Sequence, residues 1–422
     1  MVDPEGKHRF VSSTWLANAA WFRTRWLQCV NAAVIASCCI ALASPSQAAP
    51  AQASPEARLL DVYRHIGAGE NRLALAKAES LARDVPNFQL AQLVYGDLLL
   101  QRQGKLEAVA APPSELPTSA ASQWNQLRQE AALRLAALTE RPPANALPRQ
   151  FIDIPLSTRH VIAIDASRSR MYLFENDAHG MKLVSDNYVS LGALGVDKSE
   201  QGDQRTPLGV YFITSRLAAR QLKDFYGPGA LTLNYPNEYD RRRGKTGSGI
   251  WLHGVPPQNF ARPPHSTDGC VVLANADLDR LLRDVSPRRT PVVIAPRLDW
   301  VPNATGQIER ERTVARALVE QWRMARSSGN VGKLMGFYSP QFSSGTVDFA
   351  QWPKVLDKEL SASRGRESEL KEVSILSWRD TSEILIVTFG EVLKGQLTGP
   401  MKRQYWGKEG GQWKIFFEGV IG

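Results

Sequence analysis

The chain has 422 residues, of which 43% are hydrophobic and 22% charged, and its formal net charge is +9. This composition is ordinary for a soluble globular protein, and the length favours two or three domains over one. A positive charge suits any polyanionic partner. However, no Lys/Arg block is interleaved with aromatic residues and no zinc-finger spacing occurs, so nucleic acid is not expected as a partner.

The N-terminus has the features of an export signal. Arg23 and Arg25 precede an uncharged, largely apolar stretch from Trp26 to Leu42, and the small residues of Ser46-Gln47-Ala48 follow, as signal peptidase requires. We expect residues 1–48 to be a signal peptide and the mature protein to be exported. The alternative is an uncleaved membrane tether, since a stretch of 17 residues lies near the lower limit for spanning a bilayer.

Three patterns of secondary structure follow one another along the chain. Apolar residues recur every three or four positions over residues 55–145, which predicts a helical domain. Within it, residues 71–103 resemble a tetratricopeptide helix pair, which cannot bury its own apolar face and needs the next domain or a homodimer partner. Short apolar segments over 158–297 predict a β-rich domain with one clear helix, whose expected N-cap is Asn275. A helix followed by strands over 308–422 predicts an α+β cone, so the predicted fold class is multidomain α+β.

One cysteine, Cys270, lies outside the export segment, because Cys29, Cys38 and Cys39 all fall within it. A lone thiol in an oxidising compartment has no disulfide partner and needs another explanation. One explanation is a buried, inert cysteine that acts as a small hydrophobic residue, and a second explanation is a reactive nucleophile.

The neighbours of this cysteine favour a nucleophile. His253 and Gly254 end a predicted strand, thirteen residues follow, and then come Asp268, Gly269 and Cys270. An imidazole can deprotonate a thiol, and the Gly254 carbonyl can hold one ring nitrogen so that the other faces the sulfur. Gly269 permits a tight turn that aims backbone N–H groups at a developing oxyanion.

The region from about 158 to 296 resembles the L,D-transpeptidase (YkuD) catalytic domain. The resemblance rests on four segments, which are His253-Gly254, Thr267-Asp268-Gly269-Cys270, Thr206-Pro207-Leu208-Gly209 and Asn234-Tyr235-Pro236-Asn237. It implies a β-sandwich-like fold, a periplasmic location in a Gram-negative envelope and peptidoglycan stem peptides as partners.

The resemblance also implies a ping-pong reaction. Cys270 would attack the carbonyl of a diaminopimelate residue and expel D-alanine, with His253 as the base. The Gly254 backbone carbonyl would orient the histidine, and the amides of Gly269 and Cys270 would hold the oxyanion. An amine acceptor would make the enzyme an L,D-transpeptidase, and water would make it an L,D-carboxypeptidase.

Two departures from the family pattern concern the substrate. Asp268 stands where many members have histidine, and a carboxylate beside a thiol raises the pKa of that thiol. Asp268 is therefore expected to point toward a backbone amide or an arginine such as Arg262. Val272 stands where many members have arginine, which removes an anchor for a substrate carboxylate. The candidates for substrate binding are Ser266, Thr267, Asp268, Tyr235, Asn237 and Arg241, and the run Arg241-Arg242-Arg243 with Lys245 is an alternative source of cationic contacts.

The C-terminal region, 308–422, resembles the SnoaL-like cone fold. The pairing of this cone with a YkuD domain resembles cell-shape enzymes that trim tetrapeptide stems to tripeptides, which favours the carboxypeptidase as the alternative reading. A non-catalytic wall-binding protein is a further alternative, against which the intact His253 and Cys270 argue. A zinc site at His253, His265, Asp268 and Cys270 matches no known ligand spacing, so neither metal nor other cofactor is expected.

Overall fold

The computed structural model describes residues 53–104, 118–363 and 366–421. The predicted signal peptide, residues 1–48, and its alternative as a membrane tether lie outside these residues. Within them, no helix has the length and apolar character needed to cross a membrane.

Helices come first in the chain, and two sheet-rich parts follow. The helices are α1 (Pro55–Gly67), α2 (Asn71–Asp84), α3 (Gln89–Arg102), α4 (Thr118–Thr139), α5 (Glu238–Arg242), α6 (Asn275–Asp284), α7 (Gln307–Ser327), α8 (Val331–Met335) and α9 (Trp352–Ser363). The strands are β1 (Ala146–Pro148), β2 (Phe151–Asp153), β3 (His160–Asp165), β4 (Arg170–Asp177), β5 (Gly180–Tyr188), β6 (Leu191–Gly192), β7 (Gly209–Ala218), β8 (Gly229–Leu233), β9 (Trp251–His253), β10 (His265–Thr267), β11 (Val271–Val272), β12 (Pro291–Ala295), β13 (Trp300–Pro302), β14 (Tyr338–Ser344), β15 (Val347–Asp348), β16 (Ser368–Arg379), β17 (Glu383–Leu393), β18 (Met401–Glu409) and β19 (Gln412–Val420).

The N-terminal region is helical, as its apolar periodicity predicts. Ser54 caps α1 by accepting a hydrogen bond from Ala57 N at 3.2 Å. Leu59, Leu81 and Val94, one each from the first three helices, are buried in a common core. The apolar stripes of these helices therefore face one another.

The middle of the chain forms an eight-stranded mixed sheet in the order β11-β9-β8-β7-β12-β3-β4-β5. Every residue of β3 and β12 is buried, which is typical of strands covered on both faces. Ile162 and Ile164 point into one core and Val161 and Ala163 into another, following the two-residue period of a strand.

The C-terminal part is a seven-stranded sheet, in the order β15-β14-β19-β18-β17-β16-β2, with α7, α8 and α9. Trp322 of α7 packs with Phe389 and Trp406 of the sheet in a core of its own. The predicted α+β fold is therefore confirmed, although the strand β14 and the helix α9 were not expected from the sequence.

The two sheets pack against each other. Val161 and Val293 of the middle sheet share a core with Ile386 and Phe416 of the C-terminal sheet. In addition, β2 precedes the middle sheet in the chain but pairs with β16, with Asp153 opposite Ile375. The C-terminal part thus covers one face of the sheet that carries the candidate site.

The helical region packs against β4 and β5, at the edge of the middle sheet that lies away from β11, through buried charges. Arg134 of α4 is 1% exposed and pairs with Glu130 at 2.8 Å and with Glu56 of α1 at 3.2 Å. Glu56 also pairs with Arg170 of β4, and the Arg134 guanidinium lies 3.9 Å from the ring centroid of Tyr188. Of the two partners expected for the helix pair, the structure shows the next domain of the same chain, and the homodimer stays a prediction.

Candidate active site

Two short parallel strands bring the predicted base and nucleophile together. β9 ends at His253, and β11 begins directly after Cys270. Val272 is the partner of His253 and Val271 is the partner of Leu252. Since adjacent strands lie about 4.8 Å apart, residues separated by a long loop in the sequence become neighbours on one sheet edge.

The His253 side chain is 2% exposed, and its Nδ1 lies 2.7 Å from the Gly254 carbonyl oxygen. A carbonyl only accepts, so this contact assigns the proton to Nδ1 and leaves Nε2 as a free acceptor. Burial lowers the pKa of His253 to about 4; the hydrogen bond to Gly254 opposes this shift and the nearby Arg262 adds to it. The imidazole is therefore neutral at physiological pH and is able to take a proton.

The segment after His253 is held by close backbone contacts. A Cβ at Gly254 would lie 2.2 Å from Asn275 Oδ1, so only glycine fits there. Asn275 accepts from Val255 N at 2.9 Å and donates to Val255 O at 3.0 Å. The predicted capping role of Asn275 is wrong, since it is the first residue of α6 and Ala274 is the N-cap. The amide is used instead to hold the backbone beside the histidine.

Thr267 braces the turn that carries the thiol. Its hydroxyl accepts from Gly269 N at 3.1 Å and donates to the Cys270 carbonyl at 2.7 Å. Gly269 has φ +117°, and a Cβ there would lie 2.6 Å from Arg205 O, so glycine is required. The predicted use of the Gly269 amide as an oxyanion donor is not supported, because its single hydrogen already points to Thr267.

The Cys270 thiol is partly exposed and donates to Gly249 O at 3.4 Å, while the Trp251 amide donates to the sulfur. Burial raises the pKa of Cys270, and Asp268 raises it further against the opposing effects of the Trp251 amide and Arg262. At neutral pH the two neighbouring strands therefore carry a protonated thiol and a neutral imidazole. Such a pair forms its nucleophile only as the proton moves to the histidine.

This electrostatic state has a measurable pH dependence. We expect alkylation of Cys270 by iodoacetamide to be slow at pH 7 and to rise with pH, with its midpoint above the usual cysteine pKa of about 8.5. Protonation of His253 should contribute no step between pH 5 and 7, because its pKa is about 4. Mass mapping of the peptide that contains Cys270 measures the rate, with free cysteine as the reference. A midpoint below pH 7 would show a thiolate–imidazolium pair instead.

Two more of the predicted substrate-binding residues, Ser266 and Asp268, flank Thr267 in the segment that leads to Cys270. Asp268 is exposed and accepts from Gln204 Nε2 at 3.4 Å. Its hydrogen-bond partner is therefore a side-chain amide. The interaction with Arg262 that the sequence suggested is electrostatic, since burial lowers the pKa of Arg262 and the charge of Asp268 opposes that shift. Ser266 donates to Pro263 O at 3.0 Å, which fixes the loop in front of β10.

The other three predicted substrate-binding residues serve the fold. Tyr235 is 5% exposed and donates to Thr246 O at 3.0 Å, so it supports the segment that leads to β9. Asn237 is buried, caps α5 and donates to Val210 O at 3.0 Å. The exposed Arg241 pairs with its neighbour Glu238. Because these groups are buried or paired within their own segment, the structure does not present them at the thiol.

The arginines next in the chain contact the C-terminal sheet. Arg242 donates to Gln341 at 2.6 Å, and its guanidinium lies 4.7 Å from the Phe416 ring centroid. Arg243 donates to Asp380. These cations therefore join the two sheets, and the suggestion that they supply contacts to the substrate is not supported.

The sequence analysis missed the aromatic wall of the site. The ring of Tyr226 lies 4.9 Å from that of His253, and Phe225 lies 6.0 Å from it. The Tyr226 carbonyl accepts from Gly254 N at 3.0 Å. No spacing rule links a short turn at 224–226 to a histidine on β9, so only the tertiary contacts show this role.

Comparison with known proteins agrees with this geometry. Residues 159–294 match the family model of the L,D-transpeptidase catalytic domain, YkuD. Residues 159–294 are a YkuD catalytic domain. Residues 314–419 match the model of the Cds6 C-terminal NTF2-like domain, which corresponds to the predicted SnoaL-like cone.

Two solved structures share this arrangement. Bd1075 from Bdellovibrio bacteriovorus is 26% identical with a TM-score of 0.55, and the match covers 65% of this chain and 98% of that one. A variant of the helical cell shape determining protein Pgp2 from Campylobacter jejuni is 19% identical with a TM-score of 0.50, covering 72% and 100% of the two chains. The second likeness concerns the fold alone. Among curated proteins, none matches the chain significantly.

Proposed function

We propose that the protein is a cysteine-dependent L,D-transpeptidase that acts on diaminopimelate-containing stem peptides of peptidoglycan. The observation that supports this most directly is the buried neutral His253 at the end of β9, paired with the strand that begins directly after Cys270, within a YkuD domain. The proposal places the enzyme in the periplasm, on the export features of residues 1–48.

The proposed first half-reaction is acylation. Cys270 Sγ gives its proton to His253 Nε2 and attacks the carbonyl carbon of the diaminopimelate residue. The amide of Cys270 is the donor left for the oxyanion, since that of Gly269 is engaged. The C–N bond to D-alanine then breaks, the histidine returns its proton to the leaving nitrogen, and a thioester remains.

The second half-reaction decides between two outcomes. A stem-peptide amine would resolve the thioester as a crosslink, and water would release a tripeptide. Val272, in the place of the arginine of many family members, favours the hydrolytic outcome, an L,D-carboxypeptidase, as the second candidate. The shared two-domain fold with Pgp2, which is named for determining helical cell shape, supports a role in cell shape for that candidate.

Muropeptide analysis tests the proposal. The purified protein is incubated with disaccharide-tetrapeptides, and the products are followed by mass spectrometry beside Cys270→Ala. Crosslinked dimers that the variant does not form would establish transpeptidation, and tripeptide plus D-alanine without dimers would establish the carboxypeptidase. No turnover by the wild type would reject both and favour a non-catalytic wall-binding protein.

A further inference from the structure

Arg262 lies over the aromatic wall of the site and forms no ion pair with a carboxylate among the described residues. Its guanidinium carbon is 4.2 Å from the ring centroid of Phe225, the residue that also flanks His253. In the part of the chain that the structure describes, its guanidinium donates no hydrogen bond and lies within 4 Å of no carboxylate, and Asp268 acts on it only through its charge. Stacking on an aromatic ring leaves the edge of the guanidinium, with its N–H donors, open to a ligand.

The positive charge of Arg262 acts on both reacting groups. It lowers the pKa of His253 and that of Cys270, so the guanidinium lies within electrostatic reach of both. The other cation that acts on the thiol, Lys198, is 2% exposed and pairs with Asp203 at 2.6 Å. Of these two cations, only Arg262 has donors available for a substrate.

The loop that carries Arg262 is fixed on both sides. Tyr188 donates to the Arg262 carbonyl at 3.0 Å. Two residues earlier, Phe260 stacks on Phe88 of the helical region at 4.0 Å and donates its N–H to Asn87 O at 3.2 Å. The arginine is therefore presented on a held backbone, which reduces the ordering cost of binding.

Asp268 compensates part of this charge from a distance but takes none of the N–H donors of Arg262. Half-buried donors without a hydrogen-bond partner are costly to desolvate and suit a carboxylate, which an arginine binds through two parallel N–H groups. The substrate of the proposed reaction ends in such a group, one residue beyond the carbonyl that Cys270 attacks. We propose that Arg262 binds the C-terminal carboxylate of the donor stem peptide. This inference rests on the proposed function and names the group that selects its substrate.

A binding experiment tests this role without turnover. In the Cys270→Ala protein, calorimetry compares the tetrapeptide stem with its C-terminal amide, which lacks the negative charge. Adding Arg262→Met should weaken binding of the acid by about ten- to a hundred-fold and leave binding of the amide unchanged. Arg262→Lys should restore part of the affinity, and Arg220→Met, an exposed arginine of the same domain, should change neither.

Equal weakening of acid and amide would assign Arg262 a structural role and overturn the inference, as would unchanged binding of the acid. With the cysteine intact, the expected effect of Arg262→Met is a raised KM for the acid with a smaller change in kcat. If the wild type turns over neither peptide, the proposed reaction fails, while the difference in binding between acid and amide still decides the role of Arg262.

Discussion

Replacing His253 with glutamine is expected to lower turnover of the stem peptide by about 10²- to 10⁴-fold, the range for loss of a general base. The physical reason is the raised pKa of Cys270, which leaves almost no thiolate at neutral pH unless the imidazole takes the proton. Glutamine keeps a polar group of similar reach but cannot act as a base. Steady-state kinetics at pH 7 measures the loss.

Two controls separate loss of the base from damage to the site. His265→Gln changes an exposed histidine at the start of β10 and should retain activity. In His253→Gln, alkylation of Cys270 above pH 10 should persist, because hydroxide then forms the thiolate directly. Near-normal turnover at pH 7 in His253→Gln would contradict the assignment of the base.

Replacing Arg134 with leucine is expected to destabilise the protein by about 3–5 kcal/mol, the cost of breaking a buried ion pair from one side. Burial alone would raise the pKa of Glu56, but Arg134 and Arg170 lower it below its usual value, so the carboxylate is ionised in the fold. Without Arg134, Glu130 would lose its cationic partner, and Glu56 would keep only Arg170, which also pairs with Asp186. The helical region should then separate from the sheet at lower denaturant concentration.

Urea unfolding and limited proteolysis of residues 53–104 measure this effect. Arg128→Leu is the matched control, since Arg128 lies on the same helix but is exposed. It should shift the midpoint by little. The same midpoint in Arg134→Leu and Arg128→Leu would mean that the buried charges do not hold the helical region.

The structure suggests why the helical region matters to the site. Its Asn87 and Phe88 contact Phe260, and the loop from 255 to 265 leads directly to the thiol turn. On the other face, the C-terminal sheet covers the sheet that carries His253. The candidate site is thus held between two parts of the chain that contribute no group to its chemistry.

Much of the site was predictable from local sequence. His253-Gly254 and Thr267-Asp268-Gly269-Cys270 predict the histidine–carbonyl contact and the thiol turn, because each contact spans three residues or fewer along the backbone. The role of His253 as the base stays a prediction. The helices of the N-terminal region and the β3–β4 hairpin also depend on contacts that are local in the sequence. The assignment of an oxyanion role to Gly269 failed for a local reason too, since the hydroxyl of Thr267 reaches that amide first.

By itself, the sequence therefore determined the helical, β-rich and α+β character of the successive regions and the motif that carries the thiol. The tertiary structure decided what surrounds that motif. Arg262 lies over Phe225 beside His253, Tyr235 and Asn237 turn inward, and β2 crosses to the C-terminal sheet. These outcomes depend on which surfaces, distant in the sequence, pack against each other. Periodicity and spacing within one segment do not determine that packing.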